Sequence, residues 1–153
     1  MSAARADGGP VVIAYDGSDL AKLAIDQAGG LLTPGRDALV VCVWQPFDLG
    51  FVAADDAPLD AKNAAEVRAA AARTAAVGAG LAEAAGFRAR PLEIEASPTW
   101  KGIVEVAEQR EASVIVLGSH GRSGLTSVIV GSVAAAVADH SRRTVLIAHR
   151  GGT

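Results

Sequence analysis

Gly118-Ser119-His120-Gly121, followed after nine residues by Gly131-Ser132, is the spacing in this chain best suited to chemistry. It falls where the short apolar run Ala112-Ser113-Val114-Ile115-Val116-Leu117 gives way to a helical pattern. In that pattern Val128, Ile129, Ser132, Val133, Ala136 and Val137 share one face. Glycine lets backbone N–H groups come close to a ligand, and a helix N-terminus carries partial positive charge. A strand, a glycine loop and a helix start in this order therefore make an anion site, with phosphate its natural guest. Arg122, directly after the second glycine, either pairs its guanidinium with that phosphate or stays solvated. His120 has no acidic partner fixed by the sequence, so it reads as a residue of a polar turn rather than a general base. Ser123 and Ser127 either donate to phosphate or cap the next helix. Thr126 or Ser127 is the expected N-cap, because the helix is expected to start near there.

The elements that must position this loop alternate along the chain. Val11-Val12-Ile13-Ala14-Tyr15 reads as the first strand, closed by Asp16-Gly17-Ser18, which also makes a reasonable turn into a helix with no ligand at all. A helix then carries Leu20, Leu23, Ala24, Gln27 and Leu31, stopping at Gly29-Gly30 and Pro34-Gly35. The second strand runs from Ala38 to Trp44, and from Gln45 to about Pro58 the chain is irregular. Alanine dominates from Leu59 to about Ala85, which predicts a long helix despite Gly78 and Gly80. A third strand is expected from Arg90 to Ala96, a turn at Pro98, and a helix with Trp100, Ile103, Val104 and Ala107 on its packed stripe. The run before the glycine loop is the fourth strand, and Thr144-Val145-Leu146-Ile147-Ala148 is the last, at a sheet edge. Strands alternating with helices predict a parallel sheet covered on both faces.

Bulk properties narrow the function classes. The chain has 153 residues and 15.4 kDa, without a composition shift, which predicts one domain over residues 10–150 after a disordered N-terminal tail at 1–9. Its formal charge of −3 is spread along the sequence and leaves no basic stripe for a nucleic-acid backbone. The N-terminal stretch has no apolar centre, and no stretch approaches the ~18 apolar residues of a membrane span, so a soluble cytoplasmic protein is expected. Cys42 sits in an apolar run and reads as a buried thiol. Neither His140 nor His149 has metal-ligand spacing with it, and Arg142-Arg143 reads as a solvated turn. The G-x-x-x-x-G-K-[ST] phosphate loop is absent, and Lys22, Lys62 and Lys101 all lie outside the glycine loop. No G-x-S-x-G elbow occurs, Gly121-Arg122-Ser123-Gly124 being one residue short.

Four segments together resemble the universal stress protein family: Ala14-Tyr15-Asp16-Gly17-Ser18, then Gly118 to Leu125, then Gly131-Ser132, and finally Val145-Leu146-Ile147. The match runs from about Val11 to Ala148, and the spacing G-x2-G-x9-G-[ST] is specific when it follows a strand and when the first strand also ends in aspartate. The resemblance implies an α/β fold: an open five-stranded parallel sheet in the order 3-2-1-4-5 with helices on both faces, usually assembled as a homodimer through the last strand.

In members with this glycine pattern the ligand is ATP. The resemblance implies that Gly118, Gly121, Gly131 and Ser132 hold its phosphates, with Arg122 and Val133 beside them. Asp16 would lie near the adenosine, and Val43 would meet the adenine edge, while Ala14 and Tyr15 line the same wall. Mg²⁺ is expected only as the nucleotide's counter-ion, and ATP hydrolysis to be slow or absent. The alternatives are an interaction dimer that holds no nucleotide and, less favoured, an enzyme that hydrolyses ATP or transfers its adenylyl group. Replacing Gly121 and Gly131 together by valine is expected to abolish nucleotide binding while folding and dimerisation survive.

Overall fold

In the computed structural model, which describes residues 8–46, 61–120 and 130–150, the apolar runs form strands β1 (Val11–Ala14), β2 (Asp37–Trp44), β3 (Arg88–Glu95), β4 (Val114–Gly118) and β5 (Thr144–Ala148). Between them lie α1 (Asp19–Leu31), α2 (Ala61–Ala84), α3 (Thr99–Gln109) and α4 (Ser132–His140). Every strand pair is parallel, in the order β3-β2-β1-β4-β5. β1 is central, with Val12 opposite Leu39 on one side and Ile115 on the other. This is the doubly wound sheet that the alternation and the resemblance implied.

Side chains alternate across a strand, so each strand feeds two cores. Val11, Ile13 and Tyr15 pack with Ala21, Ala24 and Ile25 of α1 and Ala79 and Ala82 of α2. Val12, Leu39 and Ile115 point the other way, onto Ile103 and Val106 of α3 and Ala134 and Val137 of α4. Coverage on both faces explains why these strands read as unbroken apolar runs. Cys42, fully buried, belongs with Trp44 to a third cluster against Val67, Ala71 and Ala75 of α2. The many alanines in these clusters let the helices lie close to the sheet.

Several boundaries depart from the sequence expectation, each for a tertiary reason. Helix α1 does not stop at Gly29-Gly30 but continues to Leu31. Gly29 is there for contact, since a Cβ on it would lie 2.6 Å from the carbonyl oxygen of Ala85. The third strand begins at Arg88, not Arg90, and ends at Glu95, because the Arg88 N–H already bonds the Arg36 carbonyl. Helix α4 begins at Ser132 instead of near Thr126 or Ser127, and Val130 and Gly131 lie before it. Its buried positions are Ala134 and Val137, while Ser132 is exposed rather than on the apolar face. In α3 the buried residues are Gly102, Ile103, Val106 and Ala107. Trp100 is only half-buried and stacks on His140, ring centroids 4.1 Å apart.

The two sheet edges differ in chemistry. β3 carries Pro91, which has no N–H to offer, and the charged Arg88, Arg90, Glu93 and Glu95. β5 carries neither proline nor charge. Arg143, just before β5, is not a solvated turn residue: its guanidinium donates to Glu108 at 2.6 Å and to the Ala112 carbonyl at 3.4 Å, tying the strand to the end of α3. Among the described residues no helix is long and apolar enough to cross a membrane.

Candidate functional site

β1 and β4 are neighbours, but the helices that follow them leave to opposite faces, α1 with one core and α4 with the other. Diverging connections open a crevice beyond the carboxyl ends of these two strands, where open α/β sheets bind ligands. On the β1 side the turn is set by local chemistry. Gly17 takes φ of +85°, Asp16 Oδ1 accepts the Ser18 N–H at 3.0 Å, and Ser18 Oγ accepts the Ala21 N–H at 3.2 Å to cap α1. The turn reading and a ligand role for Asp16 therefore coexist, because the turn fixes where the carboxylate points.

The β4 side is built on two close approaches. A Cβ on Gly118 would lie 2.9 Å from both the carbonyl carbon and the Cβ of Leu20, so only hydrogen fits between β4 and the first turn of α1. The Gly131 N–H donates to the Ser119 carbonyl at 2.7 Å, and a Cβ on Gly131 would stand 2.8 Å from that same oxygen. Gly131 thereby delivers the start of α4 to the crevice, with no acidic residue in the first turn to neutralise the helix dipole. Valine at Gly131 would push on backbone, so the paired Gly121 and Gly131 replacement tests folding as well as binding.

The crevice has a volume of about 290 Å³, close to the lower bound for small-molecule sites. Of the residues expected there, Ala14, Tyr15 and Asp16 come from the end of β1, Val43 from β2 and Gly118 from β4. Gly131, Ser132 and Val133 arrive with the start of α4. Gly121 and Arg122, like Ser123, Gly124, Thr126 and Ser127, lie outside the described residues, as does most of the 45–58 loop. Sequence reasoning did not place Thr99, Ser119 or His120 in the lining, nor Ser18 and apolar neighbours such as Val41 and Ile103. His120 is 7 % exposed, not a turn histidine in water, and its Nδ1 shares a hydrogen bond of 3.2 Å with Ser119 Oγ. No pattern in the loop signals this burial. Thr99 was findable, because helices of a doubly wound sheet begin at the edge where the strands end.

Tyr15 contributes a feature of its own. Its ring lies under α2 against Gly78, and its hydroxyl is buried with no hydrogen-bond partner among the described residues. Burial, with the nearby Asp16 and Cys42, raises its pKa above the ordinary 10.0. The folded state therefore holds the phenol proton more tightly than the unfolded chain. Stability should be full below pH about 10 and fall as pH rises through the folded pKa. Tyr15→Phe should raise stability at neutral pH by roughly 1 kcal/mol, by removing an unpaired buried hydroxyl, and should flatten the alkaline decline. Urea denaturation at neutral and alkaline pH checks both; a variant less stable than wild type would mean the hydroxyl is bonded.

Comparison with known proteins agrees with this fold. The family model described as the universal stress protein family matches residues 9–149. A curated relative, universal stress protein MJ0577 of Methanocaldococcus jannaschii, is 32 % identical over 68 residues, 44 % of this chain and 41 % of the relative. The aligned stretch thus spans less than half of that relative. The solved MJ0577 structure superposes with a TM-score of 0.73 over 96 % of this chain and 99 % of its own, at 19 % identity, which speaks for the fold alone. A universal stress protein in complex with cAMP gives 0.62 at 26 % identity over 92 % of this chain and 96 % of that one. One from Archaeoglobus fulgidus in complex with dAMP gives 0.59 at 21 % identity over 92 % and 98 %.

Proposed function

We propose, from the premise that this chain belongs to the universal stress protein family, that it is an ATP-binding regulatory module of the stress response whose crevice holds the nucleotide with slow or no hydrolysis. The observation that carries this reading is the convergence of Asp16 on one side and Gly118, Gly131 and the start of α4 on the other, around one cavity at the switch point. The residues present fit the group. The first-turn backbone N–H groups of Ser132 and Val133, which Gly131 brings to the crevice, and the Ser132 hydroxyl suit phosphate oxygens, and the unneutralised dipole of α4 favours their charge. Gly121 and Arg122, next in sequence after His120, are proposed to contact the same phosphates. Asp16, one oxygen of which takes the Ser18 N–H, is a carboxylate of the kind that accepts from ribose hydroxyls or an adenine amino group. The wall of Ala14 and Val43 takes the base. The cAMP and dAMP complexes of related proteins support adenine-nucleotide chemistry at this fold.

Mg²⁺ accompanies the phosphates as counter-ion. Turnover is held low because no lysine occupies the glycine loop and the Nδ1 of His120 already faces Ser119. β5, apolar and last in the strand order, suits pairing with a second copy, which would give a cytoplasmic homodimer.

Calorimetric titration of nucleotide-stripped protein with ATP and Mg²⁺ tests the reading. One ATP per chain is expected, and correctly folded protein that binds none would overturn it. Asp16→Asn keeps an oxygen for the Ser18 N–H but replaces the other acceptor by a donor, and should weaken ATP by about tenfold. Unchanged affinity in that variant would remove Asp16 from the site.

A further inference from the structure

Thr99 stands at the first position of α3 and lines the crevice beside Val43 and Ile103. Thr99 and Ile103 are one turn apart, so they share a helix face. Gln45, just past the end of β2, reaches across to this point. Its amide nitrogen donates to the Ala96 carbonyl at 2.6 Å and to Thr99 Oγ1 at 3.2 Å. An amide NH₂ group is donor only and has two hydrogens, one for each of these oxygens. Thr99 Oγ1 is therefore the acceptor in its bond with Gln45. Its own proton must point elsewhere, and no acceptor among the described residues takes it. The result is a hydroxyl pre-oriented as a donor in an otherwise apolar stretch of the wall.

We propose that Thr99 is a specificity-determining residue of the crevice, donating a hydrogen bond to a ring nitrogen of the base of the bound adenine nucleotide, with Gln45 as its positioning residue. The inference rests on the nucleotide reading above. The glycines and the start of α4 draw the phosphates to their own end, which leaves the base to the wall of Val43, Ile103 and Thr99. The free ring nitrogens of adenine, N1, N3 and N7, are all unprotonated acceptors, its exocyclic amino group being the donor on its edge. A hydroxyl whose acceptor side is already occupied reads such a nitrogen and discriminates against a base that presents N–H at the same place.

The test compares wild type, Thr99→Val and Thr99→Ser by calorimetric titration with ATP and with three analogues, each replacing one of N1, N3 or N7 by C–H. Thr99→Val should weaken ATP about fivefold, the loss of one neutral hydrogen bond, and Thr99→Ser should restore it. One analogue alone should lose a similar factor on wild type and lose nothing further on Thr99→Val. Gln45→Leu should reproduce part of the loss with the same analogue dependence. Equal ATP affinity in wild type and Thr99→Val overturns the inference while leaving the nucleotide reading intact. So does a Thr99 effect that follows 2′-deoxy-ATP instead of a ring nitrogen, which would place the hydroxyl on the sugar. Wild type that binds no ATP overturns both.

Discussion

Gly118→Val should abolish measurable ATP binding and lower the unfolding free energy by about 1–3 kcal/mol, the usual range for overpacking a filled site. The position is unforgiving because what a new Cβ meets is backbone: the carbonyl carbon and oxygen of Leu20 stand at 2.9 and 3.0 Å. The far end of a flexible side chain could swing away, but Leu20 lies in the first turn of α1, capped by Ser18 and continuous with the Asp16 turn. Accommodating valine therefore means displacing the start of α1 from β4, which carries Asp16 away from the glycines across the crevice. Binding and stability should fall together, with a drop in melting temperature of roughly 2–4 °C per kcal/mol for a chain of this size. Titration with ATP and a thermal melt on the same sample decide it. If the variant keeps wild-type stability and affinity, the Gly118–Leu20 contact does not set the width of the crevice. Loss of stability with undiminished ATP affinity would separate the packing role from the site.

How far the sequence foretold this molecule depends on whether local or tertiary forces decide each feature. The buried strands were legible because parallel strands covered on both faces must be apolar at every position, and Val114 to Leu117 can hardly be read otherwise. The crevice was legible for the same kind of reason: glycines at 118 and 131 and an aspartate after β1 are local signals of close backbone approach. Helix starts and stops were less so. Thr126 and Ser127 have the chemistry of a cap, yet Gly131 serves as N-cap of α4, its N–H bound to the Ser119 carbonyl on the neighbouring segment. Gly29 has the chemistry of a terminator and is instead the surface on which Ala85 rests. His120 and Arg143 were read as solvent-facing, and what changed them were partners distant in sequence or in the fold: Gly131 closes over the histidine ring, and Glu108 takes the arginine.

Two glycines of α2 give opposite expectations for the same substitution, and the contrast isolates packing from propensity. Both lie inside a helix, where replacing glycine by alanine should stabilise by about 0.5–1 kcal/mol, through reduced freedom of the unfolded chain and better helix propensity. Gly80 is exposed, and no described residue would come within 4 Å of a Cβ there, so Gly80→Ala should deliver that gain in full. Gly78 faces the sheet, and its Cβ would lie 2.6 Å from Tyr15 Cδ2 and 2.7 Å from Val40 Cγ1. Tyr15 directly follows β1 and Val40 lies in the neighbouring β2, and both are themselves buried, at 3 % and 0 % exposure. The clash therefore cannot be relieved by a rotamer change into solvent; α2 must lift or Tyr15 must shift. Gly78→Ala should thus destabilise by about 1–3 kcal/mol despite the propensity gain, and since Tyr15 also lines the crevice, ATP affinity should fall with it. Chemical denaturation of the two single variants, with ATP titration of each, is the measurement. Gly78→Ala as stable as Gly80→Ala would mean that α2 does not rest on Tyr15, and the tight seat of this helix against the sheet would have to be abandoned.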